Sequence, residues 1–218
     1  MIVDDTHGRI TIHEGAYIED SAVLIGPCEV GPNAYIGHCA VIGAPPQYHG
    51  VFPSPVTADR AAKGVVVCAG ATVREFCQIH QGIVNETMVG HDVLLMAGCH
   101  IAHDSEIGND STLGSFSLLG GHTHIGARVT FGQGVITHPW VVIGEGVMIG
   151  LNSGVTKDVL PYQKVAGSPA RLLGKNTGAG GDKEAWDESI LDPHVWTAYH
   201  EALMARDDAK ELMKEMKK

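Results

Sequence analysis

Residues 89–155 decide the fold of this chain, and written in sixes they read VGHDVL LMAGCH IAHDSE IGNDST LGSFSL LGGHTH IGARVT FGQGVI THPWVV IGEGVM IGLNSG V. The first column, from Val89 to Val155, is apolar at eleven of its twelve positions. The second column is Gly at eight of eleven positions, and the fifth column holds only small or β-branched residues. A six-residue repeat is typical of parallel β-helices, in which each hexad forms a short strand and a turn. We therefore expect the first and fifth columns to face the interior and the second-column glycines to supply the turns.

The same period extends toward the N-terminus with two interruptions. It is present from Ile12, breaks over residues 44–64, a stretch with four Pro and no period, and resumes at Val67. An irregular insertion of this length in a compact repeat is usually functional or a flexible lid. At Val84–Met88 the period slips by four residues, which predicts a small protruding loop. Residues 1–175 are therefore predicted to form one β-helix domain.

The C-terminal end follows a different pattern. Residues 176–181, NTGAGG, predict a flexible linker. Over residues 182–218 the apolar side chains recur at spacings of three and four, which predicts helix, with Pro193 separating a short first helix from a longer second one. We interpret this segment as an appendage that packs on the β-helix or seals a trimer.

The bulk composition argues against several classes of partner. The formal net charge is −10, whereas duplex nucleic acid and anionic membrane surfaces require basic patches. The N-terminus, MIVDDTHGRI, lacks the basic and apolar regions of a signal peptide, and no run of about 18 apolar residues could span a membrane. The five Cys show no C-x-x-C spacing, which favours a reduced, cytoplasmic protein over a zinc or disulfide framework.

The hexapeptide pattern resembles the left-handed β-helix of the hexapeptide-repeat acyltransferases. The resemblance implies an all-β fold, a left-handed parallel β-helix with a short C-terminal α-helical appendage, which is an exception to the right-handed crossover rule. In that fold three hexads make one coil, so residues eighteen apart stack on coils about 5 Å apart. This stacking places five histidines along one longitudinal edge: His80, His100, His103, His122 and His138.

Such a row of histidines has two chemical interpretations. At neutral pH, imidazoles can act as a general base and as hydrogen-bond donors. They can also bind a metal. The γ-class carbonic anhydrases use the same fold with zinc at a subunit interface, but their H-x-x-x-x-H ligand pair is absent from this row. We therefore assign no metal ligand, and keep as alternatives a zinc protein of that kind and a non-catalytic β-helix used for assembly.

Several segments resemble the UDP-N-acetylglucosamine O-acyltransferases of lipid A biosynthesis: IGAPPQ at 42–47, IHQG at 79–82, LLMAGCHIAHDSEIGN at 94–109, LGGH at 119–122, and His138. HIAHD is the most specific of these signals. The resemblance implies an acyltransferase that moves an acyl group from an acyl carrier protein or CoA thioester to a hydroxyl, or an amine, of a nucleotide-activated sugar such as UDP-N-acetylglucosamine. We expect a cytoplasmic homotrimer with no bound cofactor, since the histidine edge of a narrow prism gains walls from a neighbour.

The resemblance also implies roles for individual residues. His103 would be the general base that takes the acceptor proton, and Asp104 would hold its tautomer and stabilise the imidazolium. The backbone N–H of Gly121 would donate to the oxyanion. Gln47 precedes the acceptor-binding loop and would contact the acceptor. The other histidines would bind the acceptor's sugar and phosphate oxygens or line the donor cleft: His80, His100, His122 and His138.

The chain also departs from the family pattern. After Gln47, the acidic and basic residues that hold the acceptor are replaced by YHGV at 48–51, which leaves the acceptor sugar open. The N-terminal coils are fewer by more than one coil. Leu151 stands at the end of the acyl groove, where long-chain enzymes have glycine, so we expect a short or medium acyl chain. VAGSPARLLGKN resembles instead the closing turn of CoA-dependent hexapeptide sugar acetyltransferases, which would place three residues near a pantetheine or phosphate: Ala166, Gly167 and Arg171.

Overall fold

The computed structural model describes residues 1–6, 8–47 and 63–178, and within these ranges the chain consists of 24 short β-strands and no helix. The strands are, in chain order, β1 (Ile2–Asp4), β2 (Ile10–Ile12), β3 (Tyr17–Ile18), β4 (Val23–Ile25), β5 (Cys28–Val30), β6 (Tyr35–Ile36), β7 (Val41–Ala44), β8 (Val65–Val67), β9 (Thr72–Val73), β10 (Gln78–His80), β11 (Thr87–Val89), β12 (Leu94–Leu95), β13 (His100–Ile101), β14 (Glu106–Ile107), β15 (Thr112–Leu113), β16 (Leu118–Leu119), β17 (His124–Ile125), β18 (Thr130–Phe131), β19 (Ile136–Thr137), β20 (Val142–Ile143), β21 (Met148–Ile149), β22 (Gly154–Val155), β23 (Gln163–Ala166) and β24 (Arg171–Lys175). None of the described segments is a helix that could cross a membrane. The predicted helical segment 182–218 and most of the insertion 44–64 lie outside the described residues.

The strands form three sheets, which are the faces of a prism. The first sheet has the order β1-β4-β7-β10-β13-β16-β19-β22, the second β2-β5-β8-β11-β14-β17-β20, and the third β3-β6-β9-β12-β15-β18-β21-β23-β24. Through the hexad repeats each strand is followed by one in the next sheet, so three strands complete a coil. Pairing is parallel, with a register of eighteen residues between uninterrupted hexads, as between Ile101 and Leu119, and a longer one where the period is interrupted, as between Ile79 and Ile101. Among these strands only the last pair, β23 with β24, is antiparallel. The left-handed parallel β-helix predicted from the hexads is confirmed.

The interior of the prism is built from the two predicted columns. Aliphatic residues of the first column, such as Leu95 and Ile101, have no solvent exposure. The fifth column supplies small residues, and its buried hydroxyls find carbonyl acceptors on their own or the neighbouring coil. For example, Ser105 Oγ donates to the Gly120 carbonyl at 3.2 Å. An unsatisfied buried hydroxyl would cost about 1–3 kcal/mol, so these hydrogen bonds are what make serine acceptable inside the prism.

The corners of the prism differ from the sequence-based expectation. The turns lie at the third and fourth columns of each hexad, and the fourth-column residues Asp104, His122 and Trp140 have φ angles of 58°, 57° and 68°, in the left-handed region. The second-column positions require glycine for a different reason, which is the close approach of the next coil. For example, a Cβ on Gly108 would lie 2.5 Å from the carbonyl carbon of Gly126. Close stacking of coils, rather than turn geometry, therefore selects glycine in the second column.

Candidate active site

His103 and Asp104 lie at the corner that follows β13, between the first and second sheets. Nδ1 of His103 is 2.7 Å from Oδ2 of Asp104. The imidazole is 13% exposed, whereas the carboxylate is fully buried. Because the carboxylate accepts the Nδ1 proton, Nε2 is the acceptor nitrogen of the neutral ring. The pair therefore has the geometry of a general base with its orienting carboxylate.

Backbone amides hold this carboxylate from the opposite side. Asp104 accepts the N–H groups of Val84 at 2.7 Å, Asn85 at 2.8 Å and Ile83 at 3.1 Å. Burial alone would raise the pKa of Asp104, but the hydrogen bonds from His103 and from these amides outweigh it and hold that pKa below its usual value. Asp104 is therefore ionised at neutral pH. The amides belong to the stretch where the hexad period slips, for which the sequence predicts only a protruding loop.

His122 and Trp140 continue the same corner on the next two coils. The His122 ring meets the His103 ring edge to face, with centroids 5.1 Å apart, and its Nε2 lies 3.6 Å from Oδ2 of Asp104. The indole of Trp140 stacks on the buried His122 ring with centroids 3.7 Å apart and an interplanar angle of 5°. Trp140 is absent from the predicted site, although its position eighteen residues after His122 is the spacing of one coil.

Gly121 faces the imidazole of the predicted base. A Cβ at this position would lie 2.7 Å from both Cε1 and Nε2 of His103. The Gly121 carbonyl accepts the Trp140 N–H at 3.0 Å, whereas the Gly121 N–H donates to none of the residues that the structure describes. Glycine thus leaves open space beside the imidazole, and its amide is available as a hydrogen-bond donor to a ligand in that space.

His80 and His100 form a second histidine pair, on β10 and β13 of the first sheet. Their ring centroids are 4.7 Å apart, and Nδ1 of His80 lies 2.7 Å from the Pro45 carbonyl oxygen. Burial lowers the pKa of both rings, that of His100 to about 4. Both imidazoles are therefore neutral at pH 7. His80 donates its Nδ1–H to the Pro45 carbonyl, which leaves Nε2 as an acceptor, whereas His100 can offer one donor and one acceptor.

A pocket of about 390 Å³ lies beside this second pair. Its lining comes from the segment after β7, from the first sheet and from the corner that leads into it from the third sheet: Gln47, Phe76, Gln78, Gly98, Cys99, His100 and Leu118. The pocket brings together Gln47 and His100, two residues predicted to bind the acceptor. Its volume is within the range of small-molecule sites.

The structure places the other predicted residues further from the base. His138 follows β19, is exposed, and has Nδ1 3.0 Å from the Pro139 carbonyl oxygen. Leu151 is 69% exposed and lies at the corner between the third and first sheets, a different corner from that of His103. Within one chain, neither side chain joins the histidine and carboxylate cluster.

The hairpin formed by β23 and β24 carries the residues predicted to lie near pantetheine or phosphate: Ala166, Gly167 and Arg171. The Gly167 carbonyl accepts the Gly154 N–H of β22 at 3.0 Å. β22 is the third strand along the first sheet from β13, which separates the hairpin from the base by about 15 Å. A single chain therefore does not bring these residues to the thioester carbonyl.

His103, Asp104 and His122 form a group whose possible metal-ligating atoms all lie within 4.8 Å of one another. The Asp104 carboxylate, however, already accepts three backbone N–H groups and the His103 Nδ1 proton. A metal ion bound here would have to displace those hydrogen bonds. The donor set therefore fits proton transfer better than metal coordination.

The left-handed β-helix of hexapeptide repeats and the comparisons with known proteins place this chain in the hexapeptide class of transferases. The family described as bacterial transferase hexapeptide (six repeats) matches residues 9–44 and 86–121. The acyl-[acyl-carrier-protein]–UDP-N-acetylglucosamine O-acyltransferase of Campylobacter lari is 38% identical over 191 residues, which cover 78% of this chain and 73% of the relative. The chain belongs to this family of UDP-N-acetylglucosamine O-acyltransferases.

The similarity to these acyltransferases covers most of this chain but only part of the length of the relatives. A crystal structure of a UDP-N-acetylglucosamine acyltransferase superimposes with a TM-score of 0.74 at 30% identity, covering 87% of this chain and 71% of the other. The acyltransferase of Halorhodospira halophila is 34% identical over 155 residues, which are 70% of this chain. This chain spans only 57% of the length of that relative.

Proposed function

We propose that this protein transfers an acyl group from the thioester of acyl carrier protein to a hydroxyl of UDP-N-acetylglucosamine. The observation that carries the proposal is the His103 ring, oriented by a buried carboxylate and open toward Gly121. The names of the Campylobacter lari and Halorhodospira halophila relatives support this donor and this acceptor. Acyl-CoA as the donor and an amine as the acceptor group are the alternatives that the assay below separates.

The proposed chemistry is a single acyl transfer with a general base. Nε2 of His103 takes the proton of the acceptor hydroxyl while the oxygen attacks the thioester carbonyl carbon. The Gly121 N–H donates to the oxyanion, and ionised Asp104 stabilises the imidazolium. When the tetrahedral intermediate collapses, the C–S bond breaks and the imidazolium returns the proton to the leaving thiolate. The products are an O-acyl sugar nucleotide and a free thiol, so no cofactor or metal is required.

The second histidine pair and the adjoining pocket form the proposed acceptor subsite. His80 and His100 are neutral, so His100 can donate to and accept from sugar hydroxyls and Nε2 of His80 can accept, in both cases without adding charge. Gln47 supplies an amide to the same pocket, and His122 and His138 extend the row along the prism. The segment 48–51, where the chain departs from the family pattern, lies outside the described residues.

The donor is proposed to run from Gly121 to the corner between the third and first sheets of a neighbouring chain in the trimer, since within one chain that corner does not hold His103. Leu151 lies on that corner, and its exposed side chain would shorten the groove available to an acyl chain. Ala166, Gly167 and Arg171 would contact the pantetheine or phosphate end of the donor, at the far end of the prism. This arrangement favours a short or medium acyl chain.

A homotrimer in the cytoplasm is proposed as the working form. Several large apolar side chains are exposed on the first sheet and its adjoining corner: Phe76, Phe116, Leu118 and Ile136. Contiguous exposed apolar surface of this kind marks interaction sites in soluble proteins. Closed threefold symmetry would cover this face and give three equivalent sites. Light scattering of the purified protein measures the stoichiometry directly.

The decisive experiment mixes the purified protein with UDP-N-acetylglucosamine and acyl carrier proteins that carry chains of different length, and measures the O-acyl product by mass spectrometry. Parallel reactions replace acyl carrier protein by CoA, and the hydroxyl acceptor by an amino-sugar analogue of the same nucleotide. We expect turnover with acyl carrier protein, and a loss of several orders of magnitude in His103→Ala with an unchanged melting temperature. Turnover of His103→Ala within tenfold of wild type would refute the assignment of the base, and stoichiometric zinc with no acyl transfer would favour the metalloprotein alternative.

A further inference from the structure

The turn Gly82–Asn85 is an irregular element that closes directly around Asp104. It starts beside the short pairing of Gly82 with Gly64, in which the Gly82 N–H donates to the Gly64 carbonyl at 3.2 Å and the Lys63 N–H donates to the Gly82 carbonyl at 3.1 Å. Two residues after the turn, the Thr87 N–H at the start of β11 donates to the same Gly64 carbonyl at 3.1 Å. The turn is therefore anchored to the β-helix at both ends.

The amides of this turn fix the rotation of the Asp104 carboxylate. Oδ1 accepts the N–H groups of Val84 and Asn85 at 2.7 and 2.8 Å, and Ile83 N–H lies 3.1 Å from both oxygens. Consecutive backbone N–H groups of this kind form an anion-binding concavity. With Oδ1 held there, Oδ2 is directed at Nδ1 of His103. Rotation of the carboxylate away from His103 would break hydrogen bonds to the backbone.

The turn closes so tightly that its first residue must be glycine. A Cβ on Gly82 would lie 1.5 Å from the Asn85 carbonyl oxygen and 3.3 Å from Oδ1 of Asp104. A contact of 1.5 Å with a backbone atom cannot be relieved by a side-chain rotation. Any other residue at position 82 therefore has to open the turn and move its amides.

We propose that the Gly82–Asn85 turn is a positioning element for catalysis: its amides fix the carboxylate of Asp104, and Asp104 in turn fixes the ring of His103. Gly82 is a positioning residue in this scheme, since it acts through Asp104 and touches no substrate. The inference rests on the proposed acyl transfer with His103 as base. On this inference, the four residues that interrupt the hexad period between Ile79 and Val89 serve to orient the base.

The kinetic test is a double-mutant cycle between Gly82→Ala and Asp104→Ala. A displacement of about 1 Å at the base lowers the rate by about 100-fold, so we expect Gly82→Ala to lower kcat by about 10- to 100-fold with the KM for UDP-N-acetylglucosamine within about threefold. On the Asp104→Ala background, Gly82→Ala should change kcat by less than about twofold, because the group through which it acts is already gone.

The matched control is Gly108→Ala. Its Cβ would also press against backbone, 2.5 Å from the carbonyl carbon of Gly126, but at the corner between the second and third sheets. This variant is expected to lower the melting temperature and to retain wild-type kcat. It separates a loss of stability from a loss of orientation.

A readout independent of turnover is the proton on Nδ1 of His103, observed by NMR in ¹⁵N-histidine-labelled protein. In a 2.7 Å hydrogen bond to a carboxylate this proton resonates far downfield. The signal should be present in wild type and Gly108→Ala, and shifted upfield or lost by exchange in Gly82→Ala. If wild type shows the signal but no acyl transfer, the proposed function fails while the positioning of His103 is still measured.

A backbone ester at Val84, made by incorporating the α-hydroxy acid, covers the case in which Gly82→Ala does not fold. It removes the shortest amide donor to Asp104 without adding any atom that could clash, and should lower kcat by roughly three- to tenfold. The inference is overturned if the ester or Gly82→Ala leaves kcat and the Nδ1 proton unchanged. It is also overturned if Gly82→Ala lowers kcat equally with and without the Asp104 carboxylate.

Discussion

Gly121→Ala is the smallest change that should disable the proposed base. The added Cβ would lie 2.7 Å from Cε1 and Nε2 of His103, whereas non-bonded carbon atoms rest at about 3.5–4.0 Å. The imidazole would therefore have to move by about 1 Å, away from the position in which Nε2 meets the acceptor. A misplacement of about 1 Å costs about 100-fold in rate, which corresponds to about 2.7 kcal/mol.

The fold should tolerate this change, because the neighbouring atoms belong to a partly exposed ring and Gly121 is not among the residues with positive φ. The assay is the initial rate of UDP-N-acetylglucosamine acylation together with the melting temperature. Gly126→Ala is the control, since its Cβ would meet the Glu145 backbone nitrogen at 2.6 Å on another corner, and it should lose stability but keep kcat. A kcat for Gly121→Ala within threefold of wild type would show that His103 does not react from the position seen here.

Three further predictions concern the surroundings of the base. Trp140→Ala removes the ring stacked on His122, so the KM for the sugar nucleotide should rise by about tenfold in steady-state assays. Trp140→Phe should restore most of the affinity, because an aromatic pair is worth about 0.5–1.5 kcal/mol. Equal KM values in the two variants would contradict the role of the stack. Burial lowers the pKa of His100 to about 4, so on acidification the unfolded chain binds a proton at this histidine before the native state does. Protonation of the unfolded chain lowers the free energy of unfolding, so the melting temperature should fall as the pH drops from about 6.5 toward 4. His100→Gln should flatten that part of the profile, and a profile parallel to wild type would refute the assignment. Leu151→Gly should move the preferred acyl chain to longer lengths in a competition between acyl carrier proteins, and an unchanged preference would place the end of the acyl groove elsewhere.

The hexad period predicted a parallel β-helix because it reports the interior directly, whereas the left hand and the coil of three hexads came from the resemblance to the hexapeptide-repeat acyltransferases. Apolar residues such as Leu95 and small residues such as Ser105 recur where the chain returns to the same place in the prism, and the register of eighteen residues follows. The period also indicated that His103 and His122 would be neighbours on successive coils, and their rings are 5.1 Å apart. The roles of these residues came from the resemblance and remain proposals.

The parts that the sequence did not predict involve groups with no side-chain signature. The partners of Asp104 are backbone amides of Ile83, Val84 and Asn85, which any residue could supply, so only the interruption in the period hinted at them. Trp140 was overlooked because the fourth column carries no single residue type. Its common property is a left-handed backbone conformation, and Asp104 and Trp140 share that conformation without sharing any chemistry.

The coil of three hexads also limits how this chain can change in length. Deleting one hexad between His103 and Trp140 would turn all later residues by a third of a revolution, and the indole would leave the corner that holds the base. Only a change of eighteen residues would return a residue to that corner, and it would add or remove a whole coil of stacking. Shorter insertions are tolerated where they bulge from a corner, as residues 83–86 do. The four extra residues at the corner of Asp104 thus lengthen one coil without changing the stacking of the coils that follow.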